Sequence, residues 1–247
     1  MYNTGLVSVS FRGLCPDDII YLARNAGLSC IEWGSDVHAP RDDERMLCHI
    51  AKEQEKAGLF CSSYGTYFTL GRDPSDQLEA YIRAAKILGT DTLRIWCGNK
   101  GYGEYTAEER ASLTAEARCA AWIAENHGVR LCLECHANTY TDCPQGAREI
   151  MRTVNSPSFR MYWQPHQNQS VNWNLTYATA IAPFTVNIHV FNWKGKDRYP
   201  LADASELWRM YLGAFDGVEN LLLEFMPDND PKTLEREADS LRKIIKG

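Results

Sequence analysis

Two rhythms of apolar and polar positions alternate along this chain. Short runs rich in β-branched and apolar residues recur about every 30 residues, and between them lie longer stretches in which apolar residues return every three or four positions. The first rhythm belongs to strands and the second to amphipathic helices. The predicted strands are GLVSVSF (5–11), SCIEWG (29–34), LFCSSYG (59–65), TLRIWCG (92–98), VRLCLECH (129–136), FRMYWQP (159–165), TVNIHVFN (185–192) and NLLLEFM (220–226). The helical stretches are punctuated accordingly. Pro16, Asp17 and Asp18 open the first and Gly27 closes it, while Gly89 and Gly128 end the stretches 73–89 and 106–128. Proline-first and glycine-last is the asymmetry expected of helix termini. The final helix is predicted from Asp230 and Pro231 to Ile245. Segment 166–183 is the most polar of the connections, which predicts a long loop and a short helix.

Eight strand-helix units with no linker between them predict an α/β fold, a single (β/α)8 TIM barrel spanning 1–247 as one domain. The usual length of such a barrel is about 250 residues. In that fold the C-terminal ends of the strands carry the chemistry, so the polar residues there are the ones to place.

Strand parity places them, because only residues an even number apart share a face. In the fifth predicted strand Cys132, Glu134 and His136 share one face, and Leu131, Leu133 and Cys135 the other. Leu131 and Leu133 suit the face packed on helices, which turns Glu134 and His136 toward the barrel mouth. The two cysteines of the C-x-x-C pair then point opposite ways and form neither a dithiol nor half of a metal knuckle. By the same test His189 points inward on the seventh strand. Glu224 shares the face of Leu222 and Met226 on the eighth, where an ionised carboxylate needs a cation or a partner. Two carboxylates and an imidazole meeting at one mouth suit a single divalent metal ion, Mn²⁺, Mg²⁺ or Zn²⁺. The sixth strand adds Gln164 as an oxygen donor or His166 as a nitrogen donor. His38, Trp96, His136 and His166 are further candidates for contact with a polyhydroxy ligand, and Trp163 and Trp193 for the walls of its pocket. Trp33 has outward parity and is expected to pack.

Composition narrows the partners. A net charge of −6 and the absence of any basic cluster argue against nucleic acid. No apolar run approaches the roughly 18 residues of a membrane span, and no secretory leader is visible, so the expected location is cytoplasmic. Nine cysteines, an odd number scattered through apolar stretches, read as reduced thiols rather than a disulfide framework. GNKGYG (98–103) lacks both the P-loop lysine and the dinucleotide spacing.

At IEWGSDVH, LRIWCG, LECHANTYTD, YWQP, NIHVFNW and LLLEF, in this order and spacing, the chain resembles the sugar phosphate isomerase/epimerase family of xylose isomerase-like TIM barrels. The resemblance implies that Glu134, Gln164, His189 and Glu224 hold the metal and that Glu134 and Glu224 are the acid/base pair. It also implies that Arg198 contacts substrate. The implied activity is isomerisation or epimerisation of a sugar or related polyhydroxy carbonyl compound, by glutamate-mediated proton transfer through a metal-stabilised enediolate. Gln164 stands where characterised epimerases have aspartate, Gln167 where they have a histidine, and Tyr140 where some have a second glutamate. Those departures leave open a non-catalytic carbohydrate-binding barrel with a degenerate metal site, or an inosose dehydratase-like lyase. A DNA-cutting relative with a histidine-rich three-zinc site fits poorly, with six histidines in the whole chain. The expected partner is a small sugar-like molecule, and pairing into a homodimer is consistent with the resemblance.

Overall fold

The computed structural model describes residues 2–247. Among them, eight parallel strands close into a barrel: Asn3–Val7, Cys30–Gly34, Phe60–Leu70, Thr92–Cys97, Arg130–Glu134, Phe159–Trp163, Thr185–Val190 and Asn220–Leu223. Each pairs with its sequence neighbours, and the first closes the ring against the eighth. Eight helices surround them: Pro16–Asn25, Glu44–Lys56, Gln77–Leu88, Ala107–His127, Pro144–Val154, Val171–Ile181, Ser205–Leu212 and Leu234–Lys246. This is the (β/α)8 TIM barrel that the pattern predicts. Among the described residues, no helix is long and apolar enough to cross a membrane, and none of the nine cysteines is in a disulfide.

The parity reading separates two cores. Leu131, Leu133 and Cys135 join Ile188, Leu221 and Leu223 in the layer between sheet and helices, whereas Cys132, Tyr162 and Leu222 pack inside the barrel. Trp33 lies in the outer layer and donates to Gln54 Oε1 at 2.8 Å. Within the barrel a chain of amides links four strands. Asn3 donates to Asn220, Asn220 to Asn187, and Asn187 to the Tyr162 hydroxyl, at 3.0, 2.8 and 2.6 Å. Gly5 leaves room for this packing, since a Cβ there would lie 2.5 Å from Cys30 Sγ.

Several boundaries differ from the predicted ones. The first strand stops at Val7 and turns into a 3₁₀ segment, Ser8–Phe11, where the Ser8 and Ser10 hydroxyls accept from the backbone N–H groups of Gly34, at the end of the second strand, and Phe225, past the eighth. The third strand runs on to Leu70, with an irregular register between Gly65 and Thr69. The eighth ends at Leu223, and Phe225 takes a left-handed φ of 49°. That turn reverses the parity of Met226, which packs in the outer core instead of sharing the face of Glu224. The polar sixth connection has the expected loop, 164–170, and its helix is capped by the Ser170 hydroxyl. A two-stranded ribbon, Trp193–Lys194 with Asp197–Arg198, follows the seventh strand and was not apparent from the pattern.

Candidate metal and substrate site

Charged side chains converge at the C-terminal mouth from five strand ends. Glu32, Arg94, Glu134 and His189 occupy interior positions of the second, fourth, fifth and seventh strands, and Glu224 directly follows the eighth. The first four are buried to 4% exposure or less. His189 is the hub. Its Nδ1 lies 3.7 Å from Glu134 Oε1, 3.7 Å from Glu224 Oε2 and 3.1 Å from Gln164 Oε1. Its Nε2 faces Glu32 Oε2 at 3.4 Å. Ligand atoms of Glu134, His189 and Glu224 all lie within 4.8 Å of one another.

The donors fit a divalent cation. Two carboxylates, an imidazole and an amide oxygen form a hard-to-borderline set carrying two negative charges. In each of three ligands, moreover, the remaining polar atom is tied elsewhere. Arg94 and the Trp96 indole N–H hold Glu134 Oε2 at 2.5 and 2.6 Å, which leaves Oε1 facing the cluster. Gln164 gives its N–H to Cys135 O at 3.0 Å, which leaves its oxygen inward. Glu32 takes the Nε2 side of His189, which presents Nδ1. Outer partners of this kind fix ligand orientation and tautomer.

Among the protein's own charges, the electrostatics of the cluster are those of a closed network. Burial alone would raise the carboxyl of Glu134, but Arg94 and His189 reverse this and hold it well below the usual range. Glu32, buried beside the same two cations, is brought to about 2. Burial likewise disfavours the His189 imidazolium, yet Glu224, Glu32 and Glu134 hold it up to about 10. Glu224 is shifted upward, because burial and the Glu134 charge outweigh His189 and Arg94. The two facing glutamates are thus unlike: Glu134 is anchored by two donors at hydrogen-bond distance, whereas the one ion-pair contact of Glu224 among the described residues is His189 at 3.7 Å.

Above the cluster lies a cavity of about 220 Å³, bordered by Glu134, His136, Gln164, His166, Trp193 and Glu224. A larger hollow of about 890 Å³ lies outside the barrel, among Tyr102, Arg148, Arg152 and Leu175, and none of the converging groups borders it. Of the sequence candidates, the structure brings Glu134, Gln164, His189 and Glu224 together, with His136 and His166 on the cavity wall. Trp96 stacks on His136, ring centroids 5.1 Å apart, and reaches the cluster through its indole N–H. His166 packs against Trp173 and Tyr177, and burial draws it down to about 4. Arg198 stands beside the cavity, over the rings of Trp193 and Phe225 at 5.0 and 4.7 Å. His38 is elsewhere, buried against Ser8 and Trp33. Trp163 does not wall the pocket: its outward parity sends it into the outer core with Trp208 and Tyr211. Tyr140 is also turned away, donating to Glu149 at 2.7 Å.

Sequence reasoning missed Glu32 and Arg94. The signal was available, since each is a charged residue at an interior position of an otherwise apolar strand, in CIEWG and TLRIWC.

A barrel with this cluster at its mouth matches a known family. The family model for the xylose isomerase-like TIM barrel matches residues 20–198, and the chain belongs to that family. Among solved structures, the chain is similar to the probable 3-DHS dehydratase AsbF involved in petrobactin synthesis from Bacillus anthracis. The two are 18% identical with a TM-score of 0.81, over 98% of this chain and 99% of that one. It is also similar to an L-ribulose 3-epimerase (14% identity, TM-score 0.76, covering 100% and 96%). A third similar structure is the 3-keto-D-glucoside 4-epimerase YcjR from E. coli (12%, 0.74, 100% of both chains). At such identities the likeness is one of fold, which does not specify the reaction. No curated protein matches the chain in sequence.

Proposed function

We propose that this protein is a metal-dependent isomerase or epimerase of a sugar or related polyhydroxy carbonyl compound, with Glu134 and Glu224 as its acid/base pair and Glu134, Gln164, His189 and Glu224 as its metal ligands. The observation that carries this reading is the convergence of two carboxylates, from the end of the fifth strand and just past the eighth, each 3.7 Å from His189 Nδ1 beneath an open cavity. A bound divalent cation would supply Lewis-acid polarisation of a substrate carbonyl and its neighbouring hydroxyl.

The protein's own groups supply the rest. Glu224 meets no strong hydrogen-bond donor, so its carboxylate is the one placed to take a proton from the carbon next to the carbonyl. Glu134, on the other side, returns a proton to the same carbon in an epimerase or to the adjacent one in an isomerase. Arg94 and Trp96 keep Glu134 from swinging as its charge changes. Trp193 and Phe225 border the cavity and limit access of water to the carbanionic carbon. Loss of a hydroxyl after the same abstraction would make the protein a lyase, a reading supported by its likeness in fold to a dehydratase; product analysis separates the two.

In deuterated water the wild type should exchange the substrate's C–H proton and form product, and Glu134→Gln should lose product formation by about a hundredfold or more while keeping its circular dichroism spectrum. Undiminished product formation in the variant would remove Glu134 from the acid/base role.

A further inference from the structure

Arg198 is a half-buried guanidinium with no carboxylate within ion-pair distance among the described residues. Its neighbours are the rings of Trp193 and Phe225, and the Asn229 side-chain oxygen accepts from it. The other arginines at the mouth are matched: Arg94 holds Glu32 and Glu134, and Arg12 holds Asp36 and the Tyr67 hydroxyl. An arginine stacked on aromatic rings keeps its planar fork oriented and its charge unspent.

This cation borders a second cavity of about 600 Å³, whose wall includes Val9, Phe11, Leu14, Arg12, Arg198 and Phe225. Phe225 also borders the cavity above the metal cluster, so the two spaces adjoin across one ring. The backbone there is held in an unusual shape. Phe225, Asp228 and Asn229 all have left-handed φ values, of 49°, 57° and 52°. Strain of this kind in non-glycine residues persists where the surroundings impose it, commonly at ligand sites.

We propose that the substrate carries an anionic substituent, a carboxylate or a phosphate, seated in this annex against Arg198, with its carbonyl end over Glu134 and Glu224. The proposal rests on the function given above, because it takes that cluster as the reacting end. Charge complementarity supports it. Arg198 offers adjacent N–H donors of the kind that meet carboxylate or phosphate oxygens side by side, whereas Arg12 on the same cavity wall is already neutralised by Asp36. The apolar side chains between them suit the carbon skeleton rather than further hydroxyls.

Binding of D-fructose, D-fructose 6-phosphate and D-tagaturonate to the Mn²⁺-loaded protein tests this by calorimetry, which reads affinity and not turnover. The wild type should prefer at least one anionic probe over fructose by about tenfold or more. Preference for one anion over the other identifies the substituent as phosphate or carboxylate. Arg198→Met should bring the ratio of anionic-probe to fructose affinity down to about one, and Arg198→Lys should restore part of the preference. Equal affinity for all three probes, no binding of any, or a preference that survives Arg198→Met would overturn the proposal. Mn²⁺ uptake on the same samples keeps the two claims apart. Absent uptake with the preference retained refutes the metal enzyme and not the anion site; normal uptake without preference refutes the anion site alone.

Discussion

At the scale of single residues, the site is a set of buried charges that no one member could sustain alone. Arg94 shows this best, since its guanidinium is shared between Glu32 and Glu134 at 2.8 and 2.5 Å. Removing one partner of a buried ion pair leaves the other charge without compensation, at a cost of roughly 3 to 5 kcal/mol. Arg94→Met should therefore lower the unfolding free energy by about that amount in urea titrations. The cost should also depend on pH. Without Arg94 a buried glutamate keeps its proton above the ordinary carboxyl pKa of about 4.3, while the unfolded chain loses it. The variant's deficit should then be small near pH 4 and grow as pH rises. A deficit independent of pH would mean that packing, not charge, is what Arg94 supplies. Glu134, His189 and Glu224 were legible as residues because each interrupts an apolar run near its end. Glu32 and Arg94 obey the same rule, but each lies mid-strand and not at a strand end, and that the two pair with one another cannot be read from either strand alone.

At the scale of elements, parity was the informative quantity and strand ends were the weak point. The inward face of the fifth strand is set by Leu131 and Leu133 packing outward, so Glu134 had to enter the barrel. Past a strand's last residue that logic lapses. The left-handed Phe225 sends Met226 into the outer core, and nothing in NLLLEFM announces the turn. His38 illustrates the same limit, lying on a loop whose course parity does not describe. The third strand contributes by omission. A Cβ on Gly65 would come within 2.8 Å of Glu32 Oε1 and 2.9 Å of an Arg94 guanidinium nitrogen. Gly65→Ala should push that pair apart and reduce both thermal stability and Mn²⁺ affinity, whereas Gly103→Ala, where a Cβ would meet nothing within 4 Å, should leave both intact. Equal behaviour of the two alanine variants in a thermal melt and a Mn²⁺ titration would rule out that spacing role.

At the scale of the whole molecule, the barrel makes distant segments into one site. Glu32 and Glu224 stand near opposite ends of the chain, yet the closure of the first strand on the eighth brings both to His189. Repeating strand-helix units made that closure predictable. The added ribbon at Trp193–Arg198 was not, because its strands are two residues each and too short to carry a period. The account as a whole stands on one claim, that the mouth cluster holds a cation. Elemental analysis of purified wild type beside Glu224→Ala, each dialysed against Mn²⁺ and then against metal-free buffer, tests it most directly. About one equivalent of metal should remain in the wild type and much less in the variant, which keeps only one carboxylate ligand. A wild type that retains none, or a variant that retains as much, would contradict the account.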